Sequence, residues 1–384
     1  MKITHLVGGS CSGESANGVD RSLVHFARRQ AKLGHEVKLM GVTRKSPYPI
    51  EGVESVTAPP GVSLFYPSRE TRDEILRGGP DVLHLHGAYV PIYPGIAHFA
   101  RKVGLPYVLT PHGNYSQLLL KRQPVVKSLY RRFMELPMAQ RALFIHAIDD
   151  QEEIRKYGVA APIVSAINGM DLPDPEESLD SQDILGRLGV PRGGTLFLFL
   201  GRLDIPQKGL DLLVQGFARL VQVVDPSSDA HLVLAGPSWD GSKGKLESLA
   251  ADLGIRDQLT MPGGIFGAEK KALIRQCDFF VHPSRWEAGV PFSVLEALAY
   301  GKQCLVSSAV DRRKVLQQSG VGELCELTVE GMAMGLSVLS QQAPEERARK
   351  ALKAQELILR DFSWETSAQK LVDGYRKFLS GGLR

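Results

Sequence analysis

Short apolar runs at 3–7, 195–200 and 279–281 each end in a turn rich in glycine or proline, and each turn leads into a segment with helical spacing of its apolar residues. A run of about four to six apolar residues suits a strand buried on both faces. Only a parallel sheet covered by helices on each side offers such a place. Strand, turn, helix, strand is therefore the repeating unit, and the expected class is α/β with doubly wound sheets. At 384 residues the chain is long for one domain, and two of about 150 to 200 residues are expected. The stretch 172–183 is rich in Pro, Asp, Glu and Ser and has no apolar periodicity, so it reads as the linker. The expected domains are 1–175, joined by a C-terminal helix at 363–384, and 185–362.

Other classes are disfavoured. A net charge of +4 does not point to nucleic acid. Cys11, Cys277, Cys304 and Cys325 have no C-x-x-C spacing, which fits reduced thiols and a cytoplasmic location. The N-terminal apolar run is too short for a signal peptide, and no segment reaches the roughly 18 apolar residues of a membrane span. His84, His86 and His112 raise a metal site, but each is read as following its own strand with no carboxylate ligand nearby, so no metal is expected.

Chemistry concentrates in His282-Pro283-Ser284-Arg285-Trp286-Glu287-Ala288-Gly289-Val290-Pro291-Phe292-Ser293-Val294-Leu295-Glu296-Ala297-Leu298-Ala299. A helix is expected from Phe292 or Ser293, and a helix N-terminus binds anions. Glu287 stands at the exit of the strand and Glu296 about one turn inside the helix. Taken alone, this is equally a plain helix start with two solvated glutamates. The stretch resembles the retaining glycosyltransferases of family 4, in which a proline–serine pair leads to glutamate, a Gly-rich turn and a second glutamate. Eight residues separate Glu287 from Glu296 here, where the family usually has one fewer.

The resemblance extends along the chain. Gly201-Arg202-Leu203-Asp204-Ile205-Pro206-Gln207-Lys208-Gly209 follows an apolar strand and matches the family's diphosphate-binding turn. Asn17-Gly18-Val19 resembles its first loop, and the turns at Gly236 and Phe266 those that face the nucleotide base. His112, in Pro111-His112-Gly113-Asn114, matches the family's histidine near the donor sugar. The Trp364 helix resembles the terminal helix that crosses back onto the first domain.

The resemblance implies a GT-B fold, two Rossmann-like domains facing across a cleft, with acceptor on the first and donor on the second. It implies transfer of a hexose from a nucleotide-diphosphate sugar, UDP-glucose as first guess, to a saccharide or lipid-linked acceptor in surface polysaccharide synthesis. His112, Glu287, Arg202 and Lys208 are the implied catalytic residues. Gly18, Gly236, Phe266, Gly289, Phe292, Ser293 and Glu296 join Arg202, Lys208 and Glu287 around the donor. No Asp-x-Asp pair occurs in the chain, and no metal or cofactor is expected. The alternative is a degenerate nucleotide-sugar-binding or scaffold protein without transfer activity. Residues 118–141 mix Lys121, Arg122, Lys127, Arg131, Arg132 and Arg141 with apolar side chains, and Glu135 is the one counter-charge. That pattern suits either a peripheral contact with an anionic membrane, at the inner face of the cell membrane, or a solvated helix face over core.

Overall fold

The structure, a computed structural model, describes residues 1–11, 18–61, 63–116, 124–174 and 183–381. Asn17, the apolar and basic residues from Leu118 to Arg122, and 175–182 of the expected linker lie outside the described residues. The chain forms two compact units, Met1–Asn168 with Trp364–Arg384, and Gly169–Ser363.

In the first unit, seven strands form one sheet: β1 (Lys2–Val7), β2 (Glu36–Val42), β3 (Glu54–Ala58), β4 (Val82–His86), β5 (Tyr107–Thr110), β6 (Ile145–Ala147) and β7 (Ile163–Ser165). Their order is β3-β2-β1-β4-β5-β6-β7, with parallel pairing throughout. The second unit has β8 (Leu196–Leu200), β9 (His231–Ala235), β10 (Leu259–Gly263), β11 (Phe279–His282), β12 (Gln303–Ser307) and β13 (Gly322–Cys325). Its order, β10-β9-β8-β11-β12-β13, is again parallel. Both sheets reverse direction beside their first strand, the doubly wound pattern. Every residue of β8 is buried, as its unbroken apolar run requires. These are two Rossmann-like sheets.

The first helix begins at Gly18 and ends at Lys32. Leu33 lies past its end and is exposed, where Gly34 turns the chain at φ +83°. The strand β6 is short, Ile145–Ala147. Asp150 stands at the start of the next helix without a side-chain cap bond and accepts from the backbone N–H of Ile148 at 3.1 Å. Burial pushes its carboxyl up to about 6, against those backbone donors. His84 and His86, read as belonging to separate strands, share β4 and point to one side of it.

The C-terminal helix, Trp364–Ser380, packs within the first unit. Trp364 is buried, stacks on His25 at 4.7 Å and meets Phe26 edge-on at 5.2 Å. Gly374 lies flat on Val164 of β7, where an added Cβ would come within 3.0 Å. Replacing Trp364 by Ala should therefore cost the first unit about 3–5 kcal/mol, read as a lower urea midpoint. A midpoint unchanged from wild type would mean that this helix contributes little to folding.

Candidate active site

The second sheet reverses between β8 and β11, and ligands of such sheets bind outside the carboxyl ends of the strands at that reversal. Two loops emerge there. From β8 the chain runs through Gly201 and Arg202 into a short helix, Ile205–Lys208, capped by Asp204, whose carboxylate accepts from Gln207 N–H at 3.1 Å. Gly209 then turns at φ +67° and opens the next helix, Leu210–Arg219. A Cβ there would lie 2.5 Å from the Pro283 carbonyl oxygen, so glycine lets the loop after β11 close in. A similar approach seats the turn after β9, since a Cβ on Gly236 would fall 1.7 Å from the Gly201 oxygen.

The two loops are tied together. Arg285 N–H donates to the Gln207 carbonyl at 2.8 Å. Its guanidinium grips Asp211 with two bonds, 2.9 and 2.8 Å, and donates to the Ile205 carbonyl at 3.0 Å. Such a two-pronged pair fixes orientation as well as distance. Arg312 donates to the Glu287 carbonyl at 2.9 Å, and Ser307 donates to that of Ser284.

This bracing brings Lys208 onto Glu287. The two form a close ion pair, and the same Glu287 oxygen accepts from Ser284 Oγ at 2.7 Å and His282 Nε2 at 3.2 Å. Burial alone pushes the Glu287 carboxyl up; Lys208 and the His282 hydrogen bond outweigh that push and hold it at about 2. Burial lowers His282, which stays neutral and donates through Nε2. Glu296 lies in the helix Phe292–Ala299, whose capping residue is Pro291 with no side-chain cap. Its carboxylate pairs with Lys270 at 2.6 Å. Lys270 stands on the helix Gly267–Gln276, which Phe266 caps with an exposed ring. Arg202 is half-exposed and lies over the Trp239 ring, 4.6 Å from its centre. Gly289 takes a left-handed φ of +127°, and Ser293 Oγ lies 3.5 Å from His282 Nδ1.

The structure therefore joins Lys208 directly to Glu287, and Glu296 to Phe266 through Lys270. Gly18 and His112 belong to the first unit, Gly18 as the first residue of its helix. His112 follows β5 in a left-handed conformation, φ +50°, with Nε2 3.1 Å from His86 Nδ1. Sequence reasoning missed Lys270, Trp239 and the roles of His282 and Ser284. Lys270 precedes buried Leu273 and Ile274 by a helical turn, which marks an inward-facing lysine but not its partner. The ring nitrogens of His5, His84 and His86 lie within 4.8 Å of one another, a spacing a metal would accept. His5 Nδ1 and His86 Nε2, however, are already hydrogen-bonded at 2.9 Å.

With two parallel sheets and this charged turn in place, comparison with known proteins decides the family. The profile described as Glycosyltransferase Family 4 matches residues 16–173, and that described as Glycosyl transferases group 1 matches 194–342. The chain belongs to the family 4 glycosyltransferases. It is 26% identical to a phosphatidyl-myo-inositol mannosyltransferase of Mycobacterium tuberculosis, over 96% of this chain and 95% of that one. A glycosyltransferase from Rickettsia africae shares its fold with a TM-score of 0.76 at 16% identity, over 99% of each chain. Anabaena HepE, solved with UDP and glucose, gives 0.74 at 18%, over 98% of this chain and 100% of that one.

The low Glu287 value has a consequence for stability. Its folded carboxyl sits at about 2 against an ordinary 4.5, so it stabilises the fold by about 3 kcal/mol above pH 5 and loses this as pH falls toward 2. In Lys208→Met the buried carboxylate loses its partner, at a cost of about 3–5 kcal/mol at neutral pH. That cost should shrink at pH 4, where the variant's Glu287 is protonated. Urea unfolding at both pH values checks it, and equal penalties would contradict the ion pair.

Proposed function

We propose that this glycosyltransferase moves a hexose from a nucleotide-diphosphate sugar, with UDP-glucose the first choice, to a hydroxyl of a saccharide or lipid-linked acceptor, retaining the anomeric configuration. Surface or exopolysaccharide synthesis is the setting we infer. The observation that carries this reading is Lys208 held against Glu287 at the reversal of the second sheet, beside Arg202 and a helix start. An incoming diphosphate competes with Glu287 for Lys208, and Arg202 adds a second cation. As the bond from anomeric carbon to diphosphate breaks, both cations stabilise the departing charge. The acceptor oxygen bonds to the same carbon and gives its proton to the leaving diphosphate. Glu287 faces the positive charge that develops on the sugar. Glu296, oriented by Lys270, takes the ribose hydroxyls, and His112 hydrogen-bonds the sugar.

The relatives' names support a sugar donor and acceptors that include a lipid: one is a phosphatidyl-myo-inositol mannosyltransferase and another was solved with UDP and glucose. The extra residue after Glu287 favours the second reading, binding without transfer. Release of UDP only when acceptor is present separates the two.

In this reading the protein's own cations neutralise the leaving group and no divalent metal takes part. Turnover should persist in excess EDTA. Arg202→Ala and Lys208→Ala should each weaken transition-state binding by about 2 kcal/mol, roughly thirtyfold in rate. Activity abolished by EDTA and restored by magnesium or manganese would refute metal independence.

A peripheral membrane contact is also proposed for residues 118–141. Val125, Val126, Leu129 and Phe133 are 57–71% exposed on the helix Pro124–Tyr130 and the π-helical turn after it, alongside the cations Lys127 and Arg132. Glu135, the counter-charge of the sequence, is turned inward, where Tyr115 donates to it at 2.7 Å and burial pushes it up to about 7. The outer face is thus apolar and basic. Among the described residues no helix is long and apolar enough to cross a membrane. The protein should sediment with anionic vesicles at low salt and be released as salt rises. Equal sedimentation with neutral vesicles would remove the charge argument.

A further inference from the structure

Five histidines, His5, His84, His86, His112 and His146, meet behind the carboxyl ends of the first sheet, four of them fully buried. Burial lowers all five, so they are neutral and each ring carries one proton. In a neutral ring one nitrogen donates and the other accepts, and a fixed end therefore determines the run that leads from it. One such end is the Ala166 carbonyl, which can only accept. His146 Nε2 donates to it at 2.7 Å. His146 Nδ1 must then accept, and Thr110 Oγ1 donates to it at 2.8 Å. The Thr110 oxygen in turn accepts from His84 Nε2 at 2.6 Å, and His84 Nδ1 accepts the Tyr375 hydroxyl at 2.5 Å.

With its proton committed, the Tyr375 oxygen can only accept. A second fixed end is the Gln30 side-chain oxygen, Oε1, which faces His5 and accepts from its Nε2 at 2.6 Å. His5 Nδ1 accepts from His86 Nε2 at 2.9 Å, and His86 Nδ1 accepts from His112 Nε2 at 3.1 Å. The run ends at His112, which is only partly buried and whose Nδ1 has no partner among the described residues.

We propose that His5 and His86 are positioning residues that hold His112 with its proton on Nε2, so that its Nδ1 meets the donor sugar as a hydrogen-bond acceptor. The assignment rests on the proposed contact of His112 with the sugar. It makes His112 take a sugar hydroxyl's proton into a hydrogen bond rather than give one.

Nitrogen-15 spectra that correlate ring nitrogens with ring carbon-bound protons test this on the intact wild-type chain. All five histidines should show a protonated Nε2 and a bare Nδ1. A protonated Nδ1 on His112, or a His112 ring exchanging between the two forms, would overturn the relay whatever the activity. Zinc copurifying at one ion per chain on the His5, His84 and His86 nitrogens would overturn it too. Gln30→Met removes the acceptor two imidazoles away and should convert His112 to a mixture of forms, while UDP affinity stays within twofold of wild type. An unchanged His112 spectrum in that variant would refute transmission through His5 and His86; should the variant not fold, the wild-type spectrum decides.

Donors carrying fluorine in place of one sugar hydroxyl test the direction, because fluorine does not donate. At the contacted position kcat/KM should fall at least tenfold, as far as with the deoxy sugar, and His112→Ala should erase the difference. Fluorine that preserves activity where the deoxy sugar fails would show that His112 donates. A penalty at no position that responds to His112 would refute the sugar contact itself, leaving the spectra to judge the tautomer.

Discussion

A parallel sheet buried on both faces must return every chain crossing over its surface, which places all strand carboxyl ends along one edge. The rest of this protein follows from that constraint. In the second unit, Arg202, Lys208, Pro283, Ser284 and Glu287, far apart in the chain, emerge side by side because β8 and β11 are neighbours. In the first unit the same geometry gathers histidines from β1, β4 and β6 with the one that follows β5. Gly209 and Gly236 then remove the Cβ atoms that would keep adjoining loops apart.

Charges brought together in this way need partners before any ligand arrives. Lys208 and Glu287 satisfy one another, as do Lys270 and Glu296, and Arg285 is held by Asp211. A buried unpaired charge would cost several kcal/mol, so the pairs protect the fold. Arg202, by contrast, stays half-exposed over the Trp239 ring.

The first unit solves a different problem. Its central strands carry His5, His84 and His86 where β8 carries only apolar residues. Polar rings survive there because each nitrogen finds a partner, and Thr110, Tyr375 and Gln30 supply those that the imidazoles cannot give one another. Tyr375 comes from the C-terminal helix, and that helix consequently completes a polar network as well as an apolar face.

Much of the fold was legible in the sequence, because apolar runs, glycine turns and helical spacing are local signals. The runs at 3–7, 195–200 and 279–281 become β1, β8 and β11, and the helix after Pro291 begins at Phe292 as its spacing implies. The glutamate turn and the Arg202–Lys208 turn announced the family for the same reason: they are contiguous. Contacts between distant residues left no such trace. That Lys208 rests on Glu287, that Lys270 holds Glu296, and that His84 and His86 join His5 and His146 depended on strand order and register. The sequence by itself determined which side chains stand at the ends of strands. Only the tertiary structure decided which of them touch, because a parallel sheet pairs residues tens of positions apart, and composition and spacing do not record that choice.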